Sequence, residues 1–134
     1  MSPNVGLIKA TFDDLMRNGS VETLFASVTD DVVLKNGSPE LLPFGGEYLG
    51  RDGLGEYFRR VDTVLEISDL RVTDYFESRH KVVVLGDETL RIKASGEEFR
   101  SEWCTVFELR EGRICRILVI EDHSPLCTYL AAHP

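Results

Sequence analysis

Residues 98–121, EFRSEWCTVFELREGRICRILVIE, decide the fold. Side chains alternate across an extended chain, so Phe99, Ser101, Trp103, Thr105, Phe107 and Leu109 fall on one face. Arg100, Glu102, Cys104, Val106 and Glu108 fall on the other. Arg110-Glu111-Gly112 reads as a turn into the strand at 113–121. Two further strands are expected upstream, at about 67–77 and 81–93. Ser78-Arg79-His80 and Ala94-Ser95-Gly96-Glu97 are the turns between them. Together these segments predict a meander of long antiparallel strands.

The N-terminal half has a different period. Val5, Ile8, Phe12, Leu15 and Met16 lie at helical spacing over 4–17, and Asn18-Gly19 stops that helix. Ser20 caps a short second helix carrying Val21, Leu24, Phe25 and Val28. Residues 31–35 read as a strand, because Val32 and Val33 are β-branched. Residues 36–50, NGSPELLPFGGEYLG, hold four Gly and two Pro and are expected to be one long loop. Asp52 and Gly53 open a third helix, with Leu54, Tyr57, Phe58, Val61 and Leu65 on one stripe. Helices followed by a strand meander predict an α+β fold, a single domain over 1–134 with the helices covering one face of a curved sheet.

Composition excludes several functions. Fifteen Lys plus Arg against 23 Asp plus Glu give a net charge of −8, a field that repels nucleic acid and anionic membranes. No apolar run approaches the roughly 18–20 residues that span a bilayer, and no basic-then-apolar signal opens the chain, so a cytoplasmic location is expected. Cys104, Cys115 and Cys127 have no chelating spacing and read as free thiols, with no metal or other cofactor implied. The last strand is apolar on both faces, with Ile114, Leu118 and Ile120 on one and Cys115, Ile117 and Val119 on the other. An antiparallel sheet usually wets one face, so the second is expected to meet another subunit in a homodimer.

Ser101 and Thr105 would leave room beside Trp103, and an apolar pocket with few polar groups suits a small molecule. Asp122 ends the greasy strand, where desolvation would raise its pKa toward that of a general base. Glu121 points the opposite way, and periodicity does not say which of the two faces inward. His123 shares the ambiguity and by itself reads as a surface residue. Arg91, on the face of Thr89 and Asp87, could pair with either carboxylate. Asn36 begins the long loop, where asparagine commonly serves a turn.

The segments TDDVVLKNG, GEYLGRDGLGEYF, TVFELREGRI and ILVIED, in that order, resemble the nuclear-transport-factor-2-like superfamily. That group includes ketosteroid isomerase, the SnoaL-like polyketide cyclases and limonene epoxide hydrolase. The resemblance implies a cone-shaped, cystatin-like α+β barrel with helices in its concave face, an apolar pocket and dimerisation through the sheet. The tyrosine, base and second aspartate of ketosteroid isomerase fall on Phe12, Asn36 and Thr105, which cannot supply that chemistry. Of the epoxide hydrolase set, Asn36 and Asp122 match, while Leu34, Thr89 and Arg91 replace a tyrosine, an arginine and an aspartate. The SnoaL-like cyclases imply an aspartate base at Asp122.

The expectation is therefore a cofactor-free isomerase, cyclase or hydrolase acting on a small apolar carbonyl compound. Asp122 would be the base, Asn36 and Arg91 would orient or polarise, and Phe12, Tyr57, Trp103 and Phe107 would form the walls beside Thr89, Thr105 and Glu121. A non-catalytic binder of an apolar ligand and a dimeric interaction module are the alternatives.

Overall fold

The computed structural model describes residues 2–38 and 42–134. Helix α1 spans Pro3–Asn18, α2 Glu22–Ser27, α3 Gly50–Val64 and α4 Ser124–Ala132. The strands are β1 Val28–Asn36, β2 Gly46–Leu49, β3 Leu65–Ser78, β4 Lys81–Ile92, β5 Glu98–Arg110 and β6 Arg113–Glu121. The ends of α1 follow from local chemistry. The Ser2 hydroxyl accepts from the Val5 amide, Pro3 fills a first-turn position with no intrahelical donor to lose, and Gly19 closes the helix at φ 61°. No helix is long and apolar enough to cross a membrane.

The six strands form one curved sheet in the order β2-β1-β6-β5-β4-β3, with α1, α2 and α3 N-terminal to the meander and α4 after it. The α+β cone is thus present, with two refinements of the expected topology. The segment 36–50 is not all loop, because Gly46–Leu49 pairs antiparallel with β1. The sheet is mixed, because β6, at the end of the meander, returns parallel to β1, with Asn36 opposite Val119.

Two irregularities aim the side chains. Between β5 and β6, Glu108 pairs with Arg116 but Leu109 with Ile114, leaving Cys115 as an extra residue. This bulge reverses the face parity, so buried Ile114 lies on the same side as Ile117, contrary to the regular alternation expected. β3 is interrupted twice against β4, and Asp69 within it takes a left-handed φ of 49°. Beside those interruptions sits Gly86, where a Cβ would overlap the Arg71 carbonyl oxygen and lie 2.7 Å from Trp103 Cε2. A side chain here would evict the indole, so glycine is what lets Trp103 lie flat on the sheet.

The concave face is the core. Ile8 of α1, Leu54 of α3, Val82 and Val84 of β4, Ile114 of β6 and Leu126 of α4 are wholly buried.

Candidate active site

β4 turns Val82, Val84, Gly86, Glu88, Leu90 and Ile92 inward, and Glu88 is the one charge in that row. Its partner across β5 is Ser101, and Trp103, two residues further along β5, lies opposite Glu121 of β6. Two carboxylates from different strands therefore converge on the same interior, Glu88 at 7% exposure and the Glu121 side chain at 8%. Both line a cavity of about 990 Å³. Its aromatic walls are Phe12, Phe44, Tyr57, Phe58, Trp103 and Phe107. Phe12 of α1 stacks on Trp103, centroids 5.4 Å apart and planes within 9°, and meets Phe107 edge-on at 5.9 Å.

The two buried carboxyls act on each other, and like charges so placed resist ionising together. Burial first, then the neighbouring Glu121, pushes Glu88 up to about 10. Burial also raises Glu121, but hydrogen bonds from His123 and Glu88 outweigh it and hold that carboxyl below the ordinary range. The pair is thus split into an acid, Glu88, and a carboxylate, Glu121.

A hydrogen-bonded chain supports the carboxylate. His123, itself buried against the Phe44 ring, places Nε2 3.3 Å from Glu121 Oε1. The carboxylate acceptor keeps the proton on Nε2, so Nδ1 accepts from the Ser38 hydroxyl at 3.0 Å. The Ser38 amide donates to Asn36 Oδ1 at 2.9 Å, and Asn36 Nδ2 donates to the Tyr57 hydroxyl at 3.1 Å. Burial raises the Tyr57 phenol well above its usual value, so it remains a donor. Among the described residues its own hydrogen meets no acceptor, and the ring lines the cavity.

Of the residues singled out from sequence, Phe12, Tyr57, Trp103, Thr105, Phe107 and Glu121 line the cavity. Asn36 is buried behind Tyr57 and reaches the cavity only through it. Asp122 does not belong to the site. β6 stays extended through Glu121, so the next side chain turns to solvent, where Asp122 accepts from the Ser124 amide at 2.9 Å. The hydrogen bonds from Ser124 lower its pKa, and the exposed side chain stands outside the cavity.

Arg91 and Thr89 are also excluded, because odd residues of β4 point to the outer face. Arg91 Nη1 is 3.7 Å from Glu66 Oε2, and Thr89 Oγ1 accepts from Arg100 at 3.0 Å. Glu88, His123 and Ser38 complete the constellation although sequence reasoning did not place them there. The signal for Glu88 was legible as a lone acid in the apolar row of an amphipathic strand. Among the described residues no group of three or more His, Cys, Asp or Glu is arranged to hold a metal ion.

A cone of sheet and helix closing over a buried acid pair is the architecture of the nuclear-transport-factor-2-like superfamily. The chain belongs to the SnoaL-like domain family, whose model matches residues 8–117. Several solved structures share the fold. A nuclear-transport-factor-2-like protein of unknown function from Burkholderia pseudomallei superposes with a TM-score of 0.85 at 21% identity, over 97% of this chain and 98% of its own. TerC, co-crystallised with polyporic acid, gives 0.82 at 25% identity over 97% and 99%. A ketosteroid-isomerase-like protein from Catenulispora acidiphila, in complex with trimethylamine, gives 0.69 at 15% identity over 87% and 86%. A search of curated proteins finds no significant match.

Proposed function

We propose that this protein is a cofactor-free acid–base catalyst that moves a proton on a small, largely apolar carbonyl compound held in the cone. One observation carries this reading. Two buried carboxyls from different strands face the same aromatic cavity, and their surroundings push Glu88 up and Glu121 down, the division of labour that acid–base catalysis requires.

Glu121 accepts the proton from the carbon beside the carbonyl, and the C–H electrons form an enolate. The Glu88 O–H and the Tyr57 O–H are the donors within the cavity that can meet the developing oxyanion. Return of the proton from Glu121 to a different carbon completes an isomerisation, whereas attack of the enolate carbon on a second carbonyl of the same molecule, whose oxygen then takes the proton from Glu121, completes a cyclisation. His123 keeps Glu121 oriented and ionised. Co-crystallisation of TerC with polyporic acid supports an organic ligand for a cone of this shape.

The test is α-proton exchange in D2O, followed by NMR over a panel of enolisable aryl ketones. The wild-type protein should exchange at least one of them. Glu121→Gln should slow exchange by about 10² or more, and Asp122→Asn should leave it unchanged. Equal exchange by wild type and Glu121→Gln would remove the base.

We further propose that the outer face of the sheet meets a second copy of the chain. The register aligns Val83, Val106 and Leu118 in one row and Leu85, Cys104 and Ile120 in the next. Phe76 and Ile120 are 54% and 51% exposed on this patch, an apolar surface of the kind that marks interaction sites. Light scattering should give a dimer for the wild type and a monomer for Ile120→Lys; an unchanged mass would place the interface elsewhere.

A further inference from the structure

We infer that the cavity binds a small organic cation, an alkyl- or arylammonium group seated between the aromatic walls and the Glu88–Glu121 pair. This deepens the reading of the cone as a ligand pocket and needs that pocket, but not catalysis.

The interior has a surplus of negative groups. Glu88 comes from β4 and Glu121 from β6, each more than nine-tenths buried, and both line the cavity. The basic side chains that reach the lining among the described residues are His123, held by Glu121 at 3.3 Å, and Arg59, which is exposed and held by Glu56 at 2.9 Å. The acids at the rim already have surface partners: Asp62 with Lys93, Glu66 with Arg91, and Asp69 with Arg71 and Arg100. Inside, Glu121 Oε1 faces His123, while Oε2 is buried with no fixed donor among the described residues. The Glu88 carboxyl and the Ser101 hydroxyl are the other side-chain groups that act on Glu121.

A cation can do the same and gain more. It lets both carboxylates ionise, and its positive charge is attracted to the aromatic faces of Phe12, Tyr57, Trp103 and Phe107 that line the space. An anion of the same size meets two acids and no free base. Cation binding therefore exchanges with a proton, and affinity rises with pH, approaching about tenfold per pH unit when one proton leaves per cation. The titratable groups facing the pair are His123 beyond β6 and Tyr57 of α3; the cavity side of β5 contributes Ser101, Trp103 and Thr105, and that of α1 contributes Thr11 and Phe12.

Trp103 is the single tryptophan and lines the cavity, so its fluorescence reports binding in the intact protein. The probes are benzyltrimethylammonium, its uncharged isostere neopentylbenzene, and benzenesulfonate. The cation should bind at least about tenfold more tightly than the isostere, a margin set by one ion pair and the ring faces. Binding should tighten between about pH 6 and about pH 8, with close to one proton released by calorimetry in two buffers. Glu121→Gln should lose about tenfold, and Glu88→Gln, with no proton to displace, should lose the pH dependence.

Neopentylbenzene or benzenesulfonate binding as tightly as the cation would overturn the cation assignment while leaving the pocket intact. Failure of all three probes to move Trp103 fluorescence would overturn the pocket itself. Retained pH dependence in a folded Glu88→Gln variant would show that the exchanging proton is not on Glu88.

Discussion

Replacing Glu88 by glutamine should stabilise the protein at neutral pH. The carboxyl goes from an ordinary 4.5 in the unfolded chain to about 10 in the fold. Between those values the folded state holds a proton that the unfolded state lacks. Stability from this group is therefore fully present below about pH 4.5 and declines as pH rises toward 10. The slope is about 1.4 kcal/mol per pH unit, so over the roughly 2.5 units up to pH 7 the wild type loses at most about 3 kcal/mol.

Glutamine has the shape of the protonated acid and keeps a donor toward Glu121 but cannot titrate. Urea unfolding at pH 7 should therefore show Glu88→Gln more stable than wild type by about 2–3 kcal/mol, and at pH 4 the two should coincide. The variant should also lose the wild-type decline between pH 5 and pH 9. A variant that is less stable at pH 7 and keeps the slope would mean that Glu88 is ionised and paired in the fold, refuting the split acid–base pair. The gain expected here is the stability that a functional residue withholds.

Two further substitutions test how the site is built. Gly86→Ala should cost about 1–3 kcal/mol by denaturant unfolding, because the new methyl meets the Arg71 carbonyl and the Trp103 indole; a neutral effect would show that the sheet yields locally at its bulges. Tyr57→Phe leaves Asn36 Nδ2 without its buried acceptor and should cost about 1 kcal/mol or more. An unchanged Tm there would mean that water replaces the phenol.

The fold was legible because its signals are long and periodic. The alternation in residues 98–110 and the helical stripe from Val5 to Met16 survive in β5 and α1. β2 was hidden inside a Gly- and Pro-rich stretch, since a four-residue strand carries too few side chains to show a period. The parallel pairing of β1 with β6 depends on a closure that no local pattern encodes.

The site was half legible. Its aromatic walls follow from face assignment, but the choice between Glu121 and Asp122 turns on where β6 stops being extended and on the bulge at Cys115. Family analogy pointed to Asp122, whose side chain instead serves the start of α4. Glu88 matched no family position and lay in plain view as a charge among apolar neighbours. Pairing of β4 with β5, and of β5 with β6, turns it from an anomaly into half of an acid–base pair.

The most direct test of the central claim is a carbon-13 NMR titration of the glutamate side-chain carboxyls, with Glu88→Gln and Glu121→Gln used to assign the signals. One buried carboxyl, Glu88, should stay protonated through neutral pH and lose its proton only as pH rises toward about 10, while Glu121 is already ionised. Two buried carboxyls that both titrate in the ordinary carboxylate range would contradict the account.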